Sequence, residues 1–136
     1  MENTKSPETG FRIEKILLLE SSFSRVNNVI FGKEVNNDTH IHVDVNVKES
    51  VIIVNETVSF SQKYQDDEQV AIKVRMVGTF NVVGVTEITD YEGFGRINGA
   101  AIIFPYIREH VTNLSIKAGL GAIILPPVNF TAIQGE

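Results

Sequence analysis

Apolar and polar residues alternate over much of the first 83 positions. Residues 11–16 alternate before running into a leucine triplet at 17–19, which on its own would suit a strand or a helix. The clearest alternation covers residues 39–47, with isoleucine or valine at every second position. A period of two places the apolar side chains on one face of a strand and the polar side chains on the other. Both segments are therefore predicted to be β-strands with one buried face.

Two further strands are predicted at short intervals. Residues 51–62 and 70–83 are again rich in β-branched side chains, and the polar segments 48–50 and 63–69 have the length of short turns. Strands joined by short links pair in antiparallel fashion, so the last three predicted strands form a meander. Residues 24–37 interrupt the pattern and are predicted to be a connection that carries some apolar side chains.

The period changes in the last third of the chain. The apolar residues that recur at steps of four, three and four are Ile107, Val111, Leu114 and Ala118. This spacing is typical of an amphipathic helix, and Gly119 suits its C-terminus. Pro105 either begins this helix or kinks a longer one that begins near Asn98, because proline cannot donate a hydrogen bond to the preceding turn.

These elements predict one α+β domain over residues 1–136, with a flexible N-terminal segment at 1–10. The expected architecture is a four-stranded antiparallel sheet with one long C-terminal helix on one side. A sheet has two faces and a single helix cannot cover both, so some apolar surface should remain exposed. The sequence therefore predicts either oligomerisation or an exposed binding surface.

Composition excludes several classes of protein. The chain has 12 basic and 17 acidic side chains, a net charge of −5, which argues against binding to nucleic-acid phosphates. It has no cysteine, so disulfides, thiol catalysis and cysteine-bound zinc are excluded. No apolar run approaches the ~18 residues that span a bilayer, and the N-terminus has no signal-peptide pattern. We expect a cytoplasmic protein that does not insert into membranes.

Two motifs suggest chemistry only weakly. His40 and His42 share one predicted strand face with Asp38 and Asp44, which would allow a metal site, but a solvated polar face is the preferred explanation of the pattern. The glycine-rich segment 93–99 lacks the Lys-Ser/Thr ending and the βαβ context of a phosphate loop, and is predicted to be a turn. No nucleophile motif is present. We therefore predict that the chain is not an enzyme and binds no metal or cofactor.

Apolar side chains in predicted connections are the most unusual feature. In or beside the connection at 24–37 they are Phe23, Val26, Val29, Ile30 and Phe31, and beyond the predicted helix they are Leu120, Ile123 and Leu125. Such side chains either pack beneath their own loops or line a groove. A long apolar groove would bind extended polypeptide through broad contacts with little sequence specificity.

Two motifs in the C-terminal third resemble the signature of a known family. Residues 103–109 read IFPYIRE, and after a helix and an apolar turn residues 125–130 read LPPVNF. In this order and spacing they resemble the SecB family of protein-export chaperones, which hold preproteins unfolded. Further similarities lie at residues 11–13 and 78–80, so the resemblance covers nearly the whole chain.

The resemblance implies an ATP-independent holdase that binds unfolded polypeptides or preproteins. It also implies a tetramer built as a dimer of dimers, in which two sheets join into an eight-stranded layer and the long helices lie between the dimers. The helix positions implied at that interface are Ile107, Val111 and Leu114. The eight apolar connection residues listed above are the implied client-binding groove.

The chain also departs from the exporters. They continue beyond the PVNF motif into a second helix and a tail that contacts the motor SecA, whereas this chain ends six residues after Phe130. On the acidic sheet face that also meets SecA, Glu20 fits, but Ser24 and Lys73 stand where acids are expected. Glu20 thus remains a candidate SecA contact, and transfer to SecA is less well supported than client binding. A chaperone dedicated to one partner, such as an antitoxin, is the alternative.

Overall fold

Four long strands form a single antiparallel sheet in the computed structural model, which describes residues 10–84 and 88–133. They are β1 (Gly10–Arg25), β2 (Val35–Lys48), β3 (Val51–Tyr64) and β4 (Asp67–Val83), in the spatial order β1-β4-β3-β2. Together with a C-terminal helix, this confirms the predicted fold class. The predicted flexible segment lies outside the described residues except for Gly10, which begins β1. The single-domain assignment stays a prediction.

The connections between the strands differ in length because they cover different distances. The β2–β3 turn contains Glu49, and the β3–β4 turn contains Gln65 and Asp66, all three with positive φ as tight hairpin turns require. By contrast, residues 26–34 lead from β1 at one edge of the sheet to β2 at the other, and we call this segment the crossover. It is shorter than the predicted connection because both flanking strands extend further than expected.

Strand β1 contains two β-bulges, and these explain its irregular pattern. The pairing register with β4 shifts between Ile13 and Lys15 and again between Leu18 and Glu20. Each bulge inserts an extra residue and so interrupts the alternation of faces. The leucine triplet at 17–19 is therefore part of a strand, and all three side chains are exposed.

The helical region begins earlier than predicted. A short helix, α1 (Tyr91–Phe94), continues through a π-helical turn at Gly95–Gly99 into α2 (Ala100–Lys117). Asp90 caps the beginning, since its Oδ1 accepts a hydrogen bond from Gly93 N at 3.0 Å. The prediction of a turn at 93–99 is wrong, and Pro105 lies inside α2 rather than at its start.

Glycines in this region serve close packing rather than turning. A Cβ atom on Gly95 would lie 2.8 Å from Cγ2 of Ile52, and one on Gly99 would lie 3.0 Å from Cγ2 of Val54. On the sheet side, a Cβ on Gly78 would lie 2.8 Å from Cδ1 of Ile103. The helix therefore approaches β3 and β4 more closely than any side chain at these positions would allow.

The core lies between one face of the sheet and the helix. Its fully buried side chains include Val54, Val74 and Phe80 from the sheet and Ile103 from α2. The segment after α2 completes this layer: Phe130 packs edge-on against Phe104 with ring centroids 5.8 Å apart, and Ile133 lines a small pocket with Ile41 and Val43 of β2. The helix is thus assisted by the C-terminal segment in covering this face.

One buried side chain is out of character with the apolar core. Glu56 of β3 is fully buried, and neither of its carboxyl oxygens has a hydrogen-bond partner. Burial raises the pKa of Glu56 to about 9 from its ordinary value of 4.5. The carboxyl group is therefore protonated at neutral pH, because an unpaired charge would lose its hydration in this position.

Replacement of Glu56 by leucine should stabilise the fold and flatten its pH dependence. The folded protein holds this proton more tightly than the unfolded chain, so the free energy of unfolding falls as pH rises from 4.5 towards 9. In urea titrations at pH 8, Glu56→Leu should raise the free energy of unfolding by about 1–4 kcal/mol. The exposed Glu109→Gln variant is the control, and an unchanged pH profile in Glu56→Leu would contradict the burial of an uncharged carboxyl.

Because the helix and the sheet are in close contact, adding a single methyl group between them should lower the free energy of unfolding substantially. Gly95→Ala places its Cβ against Ile52 and Val45, so the helix must shift outward, and we expect a loss of about 1–3 kcal/mol in the free energy of unfolding. Asn98→Ala, at an exposed position of the same π-helical turn, is the matched control. Equal urea midpoints for the two variants would show that the helix does not pack as described.

Candidate functional site

The crossover presents apolar side chains to solvent. Phe31 is 64% exposed, and Val26 and Ile30 are 43% and 44% exposed. Phe23 at the end of β1 and Val29 within the crossover are partly buried and pack against the core. The predicted residues of this segment therefore divide into an exposed set and a supporting set. Phe23 and Val29 pack beneath the loop, which is the first of the two alternatives predicted from the sequence. Val26, Ile30 and Phe31 are exposed, as the second alternative, an apolar groove, requires.

A buried glutamine fixes the backbone of the crossover. Gln69, at the beginning of β4, is only 6% exposed. Its Oε1 accepts a hydrogen bond from Ile30 N at 2.7 Å, and its Nε2 donates to Ile30 O at 3.0 Å. The Gln69 backbone carbonyl also accepts from Val26 N at 2.9 Å. One residue thus satisfies three polar backbone groups of a loop that runs along the end of the sheet.

An arginine links the crossover to the end of the helix. Arg25 donates from Nε to Val26 O at 2.8 Å and from Nη2 to Asn27 O at 2.7 Å. Its Nη1 donates to the carbonyl of Ala118, the residue that follows α2. A cation at this position also interacts favourably with the C-terminal end of the helix dipole. The two segments that the sequence proposed as one groove are therefore neighbours.

The segment beyond α2 is held by side-chain hydrogen bonds from the helix. Thr112 Oγ1 donates to Ile123 O at 2.7 Å, and Ser115 Oγ accepts from Ile123 N at 2.9 Å. Leu120 and Ile123 are partly buried against the core. Ile124, which the sequence interpretation omitted, is 69% exposed. The alternation of this extended segment could have indicated that Ile124 is exposed. Ile123 and Leu125, on either side of it, point towards the core, so Ile124 points away from it.

Leu125 requires a correction. It was expected to line the client-binding groove, but it is 1% exposed and belongs to the hydrophobic core. An apolar side chain enclosed by other core residues offers no surface to a second polypeptide. The available part of this segment is therefore Ile124 together with the partly exposed Leu120 and Ile123.

Two helix positions also require correction. Ile107 and Val111 were expected at an oligomer interface, but both are fully buried within the single chain, because this stripe of α2 is the one that packs on the sheet. Leu114 is partly buried, and its interface role stays a prediction. The outward face of α2 instead exposes Tyr106 and Ile116.

A groove follows this outward face. It has a volume of about 440 Å³ and lies between α2 and the segment that contains Ile124. Its lining mixes apolar, polar and charged side chains: Pro105, Arg108, Glu109, Thr112, Asn113, Ile116 and Ile124. This surface is available for contact with another chain.

The other face of the sheet is polar but not uniformly acidic. Glu20 lies between two cations, with its carboxylate 3.7 Å from Lys73 Nζ and 3.5 Å from Arg75 Nε. Arg75 also donates to Asn55 Oδ1 at 3.2 Å. The charge of Glu20, the candidate SecA contact, is therefore locally compensated.

The two histidines of β2 form separate, exposed pairs with aspartates. His40 Nε2 lies 3.0 Å from Asp38 Oδ2, and His42 Nε2 lies 3.7 Å from Asp44 Oδ2. Within residues 10–84 and 88–133, no three histidine, aspartate or glutamate side chains form a group that could hold a metal ion. Within the same ranges, no helix is long and apolar enough to cross a membrane.

Comparison with known proteins agrees with this architecture. The family model described as preprotein translocase subunit SecB matches residues 3–135. A protein-export protein SecB from Aromatoleum aromaticum is 31% identical over 137 residues, covering 97% of this chain and 86% of the relative. Another from Hahella chejuensis is 28% identical over 142 residues, covering 99% of this chain and 87% of the relative.

A solved structure supports the same fold. A SecB-like chaperone of Mycobacterium tuberculosis, solved with a peptide from an antitoxin, has a TM-score of 0.75 and 18% sequence identity, covering 88% of this chain and 91% of that chain. The four-stranded antiparallel sheet with its C-terminal helix is therefore a SecB-like α+β fold. The chain belongs to the SecB family, in which the relatives it matches are protein-export proteins.

Proposed function

We propose that this chain is a holdase that binds unfolded polypeptides or preproteins in an extended conformation, in the cytoplasm and before export. The observation that carries the proposal is the crossover, where Val26, Ile30 and Phe31 are exposed on a backbone held by hydrogen bonds. Solvent-exposed apolar side chains on a fixed loop are costly unless a partner covers them. Leu120, Ile123 and Ile124 extend this surface beyond α2.

The energetics favour broad but unspecific binding. Burying ~1,000 Å² of apolar client surface at ~25 cal/mol/Å² contributes a large gross free energy, much of which ordering of the client offsets. Contacts of this kind depend on apolar area rather than on a particular side-chain sequence. Several such surfaces on one oligomer would add avidity.

The proposed oligomer is a tetramer in which β1 edges join two sheets. Within the described sheet β1 is an edge strand; it carries Leu17, Leu18 and Leu19, each 44–47% exposed, and a long apolar edge strand is prone to pair with another strand. The opposite edge is less available, because Arg96 Nη1 donates to the Val43 carbonyl of β2 at 3.1 Å. The outward face of α2, with Tyr106, supports the second contact between dimers.

A chaperone dedicated to one partner is the second candidate. The structural neighbour from Mycobacterium tuberculosis was solved with an antitoxin peptide, and its fold is shared by this chain. Such a chaperone would bind one segment and leave other unfolded chains unbound.

SecA is not part of the proposal, because Lys73 and Arg75 compensate the charge of Glu20.

Removal of the exposed apolar side chains should weaken client binding. We expect Ile30→Ser combined with Phe31→Ser to lower the affinity for a permanently unfolded probe, reduced and carboxymethylated α-lactalbumin, by about tenfold or more, since roughly two large side chains lose their burial. Fluorescence anisotropy of the labelled probe measures the affinity. Val47→Ser, at an exposed apolar position at the far end of β2, is the control.

Three outcomes separate the candidates. Tight probe binding that only the double variant loses supports the general holdase. A wild-type chain that ignores the probe favours the dedicated partner. Probe binding that survives both substitutions would show that clients bind elsewhere.

Charges on the β1 edge should disrupt the oligomer. Leu18→Lys combined with Leu19→Lys places two cations at an edge where a second β1 would have to pair, so native mass spectrometry should show fewer than four 15.1 kDa chains per particle. Val47→Lys on β2 is the matched control and should leave the mass unchanged. If Val47→Lys dissociates the particle instead, the β2 edge carries the contact.

A further inference from the structure

We infer that Gln69 and Arg25 are positioning residues that hold the crossover in its client-binding conformation. The inference rests on the proposed function, because it assigns a role to residues beside the exposed apolar surface rather than within it. Neither side chain offers apolar area to a client. Their contribution would be made through the backbone of residues 26–34.

Gln69 acts on the crossover as a neighbouring strand would. Its side-chain amide pairs with both the N–H and the C=O of Ile30, at 2.7 and 3.0 Å, which is the two-bond pattern of a backbone pair in an antiparallel sheet. The amide is buried, and burying it without these hydrogen-bond partners would lower the stability of the fold. An apolar side chain would fill the same position but would form no directional hydrogen bonds to the loop. The amide therefore fixes the orientation of the peptide units on either side of Ile30.

The orientation of Ile30 determines where its neighbour lies. Phe31 follows it directly and is the most exposed of the apolar crossover side chains. Gly32 comes next with a φ of 132°, a conformation that other residues rarely adopt. Phe31 is thus held between a residue anchored by hydrogen bonds and a glycine turn, which directs its ring outward.

Arg25 couples the two halves of the surface. A guanidinium group is planar with donors in fixed directions, and here three of its nitrogens donate to three carbonyls, those of Val26, Asn27 and Ala118. The first two belong to the crossover, and the third precedes the segment that contains Leu120. One side chain therefore sets the spacing between both apolar segments. A client that contacts both segments would encounter a surface whose ordering is already complete, which lowers the entropic cost of binding.

The experiment compares isosteric variants with wild type by hydrogen exchange and by binding of the same unfolded probe. Gln69→Met keeps the side-chain length but loses both hydrogen bonds. Exchange of the Ile30 amide should accelerate, while the Val26 amide, which binds the unchanged Gln69 backbone carbonyl, should remain protected. Probe affinity should fall by about fivefold to tenfold, the change expected for loss of one or two hydrogen bonds.

Gln62→Met is the matched control, since Gln62 donates its side-chain hydrogen bond to Asn37, between strands β3 and β2, rather than to the crossover. It should leave the Ile30 amide and the probe affinity unchanged. Arg25→Met provides a second test that does not disturb the core, because this side chain lies at the surface. It should weaken probe binding several-fold, and exchange at residues 26 and 27 should change little because their carbonyls, not their amides, bind Arg25.

The results distinguish this inference from the proposed function. If Ile30→Ser with Phe31→Ser lowers the affinity but Gln69→Met and Arg25→Met do not, the client surface is correct and the positioning roles are wrong. If Gln69→Met accelerates exchange at Ile30 and yet binds the probe as tightly as wild type, ordering of the loop is irrelevant to binding, and the inference is overturned. If wild type does not bind the probe, the proposed function itself fails.

Discussion

The close approach of the helix to the sheet is the constraint on which the other features depend. Gly95 and Gly99 on the helix and Gly78 on β4 leave no space for a Cβ atom between the two layers. This contact makes Ile103 and Ile107 part of the core and directs the opposite face of α2 outward. It also brings the end of the helix to the end of β1, where Arg25 reaches the Ala118 carbonyl. The position of the crossover relative to the last segment follows from this arrangement.

Exposed apolar surface in this fold has two distinct forms. On β1 it lies on an edge strand of the described sheet, a position from which pairing with another strand is possible. In the crossover it lies on a loop in which Gln69 and Arg25 bind backbone groups of Val26, Asn27 and Ile30. The first form suits association with another copy of the chain. The second suits contact with side chains of a partner, because affinity there depends on apolar area.

Glu56 shows that the core does not have maximum stability. Its protonated carboxyl is buried without partners, a condition that lowers stability relative to an apolar residue of similar volume. No hydrogen bond of this group explains its presence. Elsewhere the core contains aromatic contacts that contribute to stability, such as that between Phe104 and Phe130, which joins the helix to the segment after it.

The sequence by itself determined the strands, the antiparallel meander, the amphipathic stripe of the helix and the family, because periodicity and the two C-terminal motifs are local properties of the chain. It also identified the crossover as an apolar connection. Only the tertiary structure decided which apolar residues are exposed: Leu125, Ile107 and Val111 are buried, whereas Ile124 is not. The glycine-rich segment 93–99 was misinterpreted for the same reason, since glycine favours turns locally but also permits close packing, and the neighbouring layer determines which property matters. The roles of Gln69 and Arg25 depend on contacts between residues far apart in the chain, which no local pattern records.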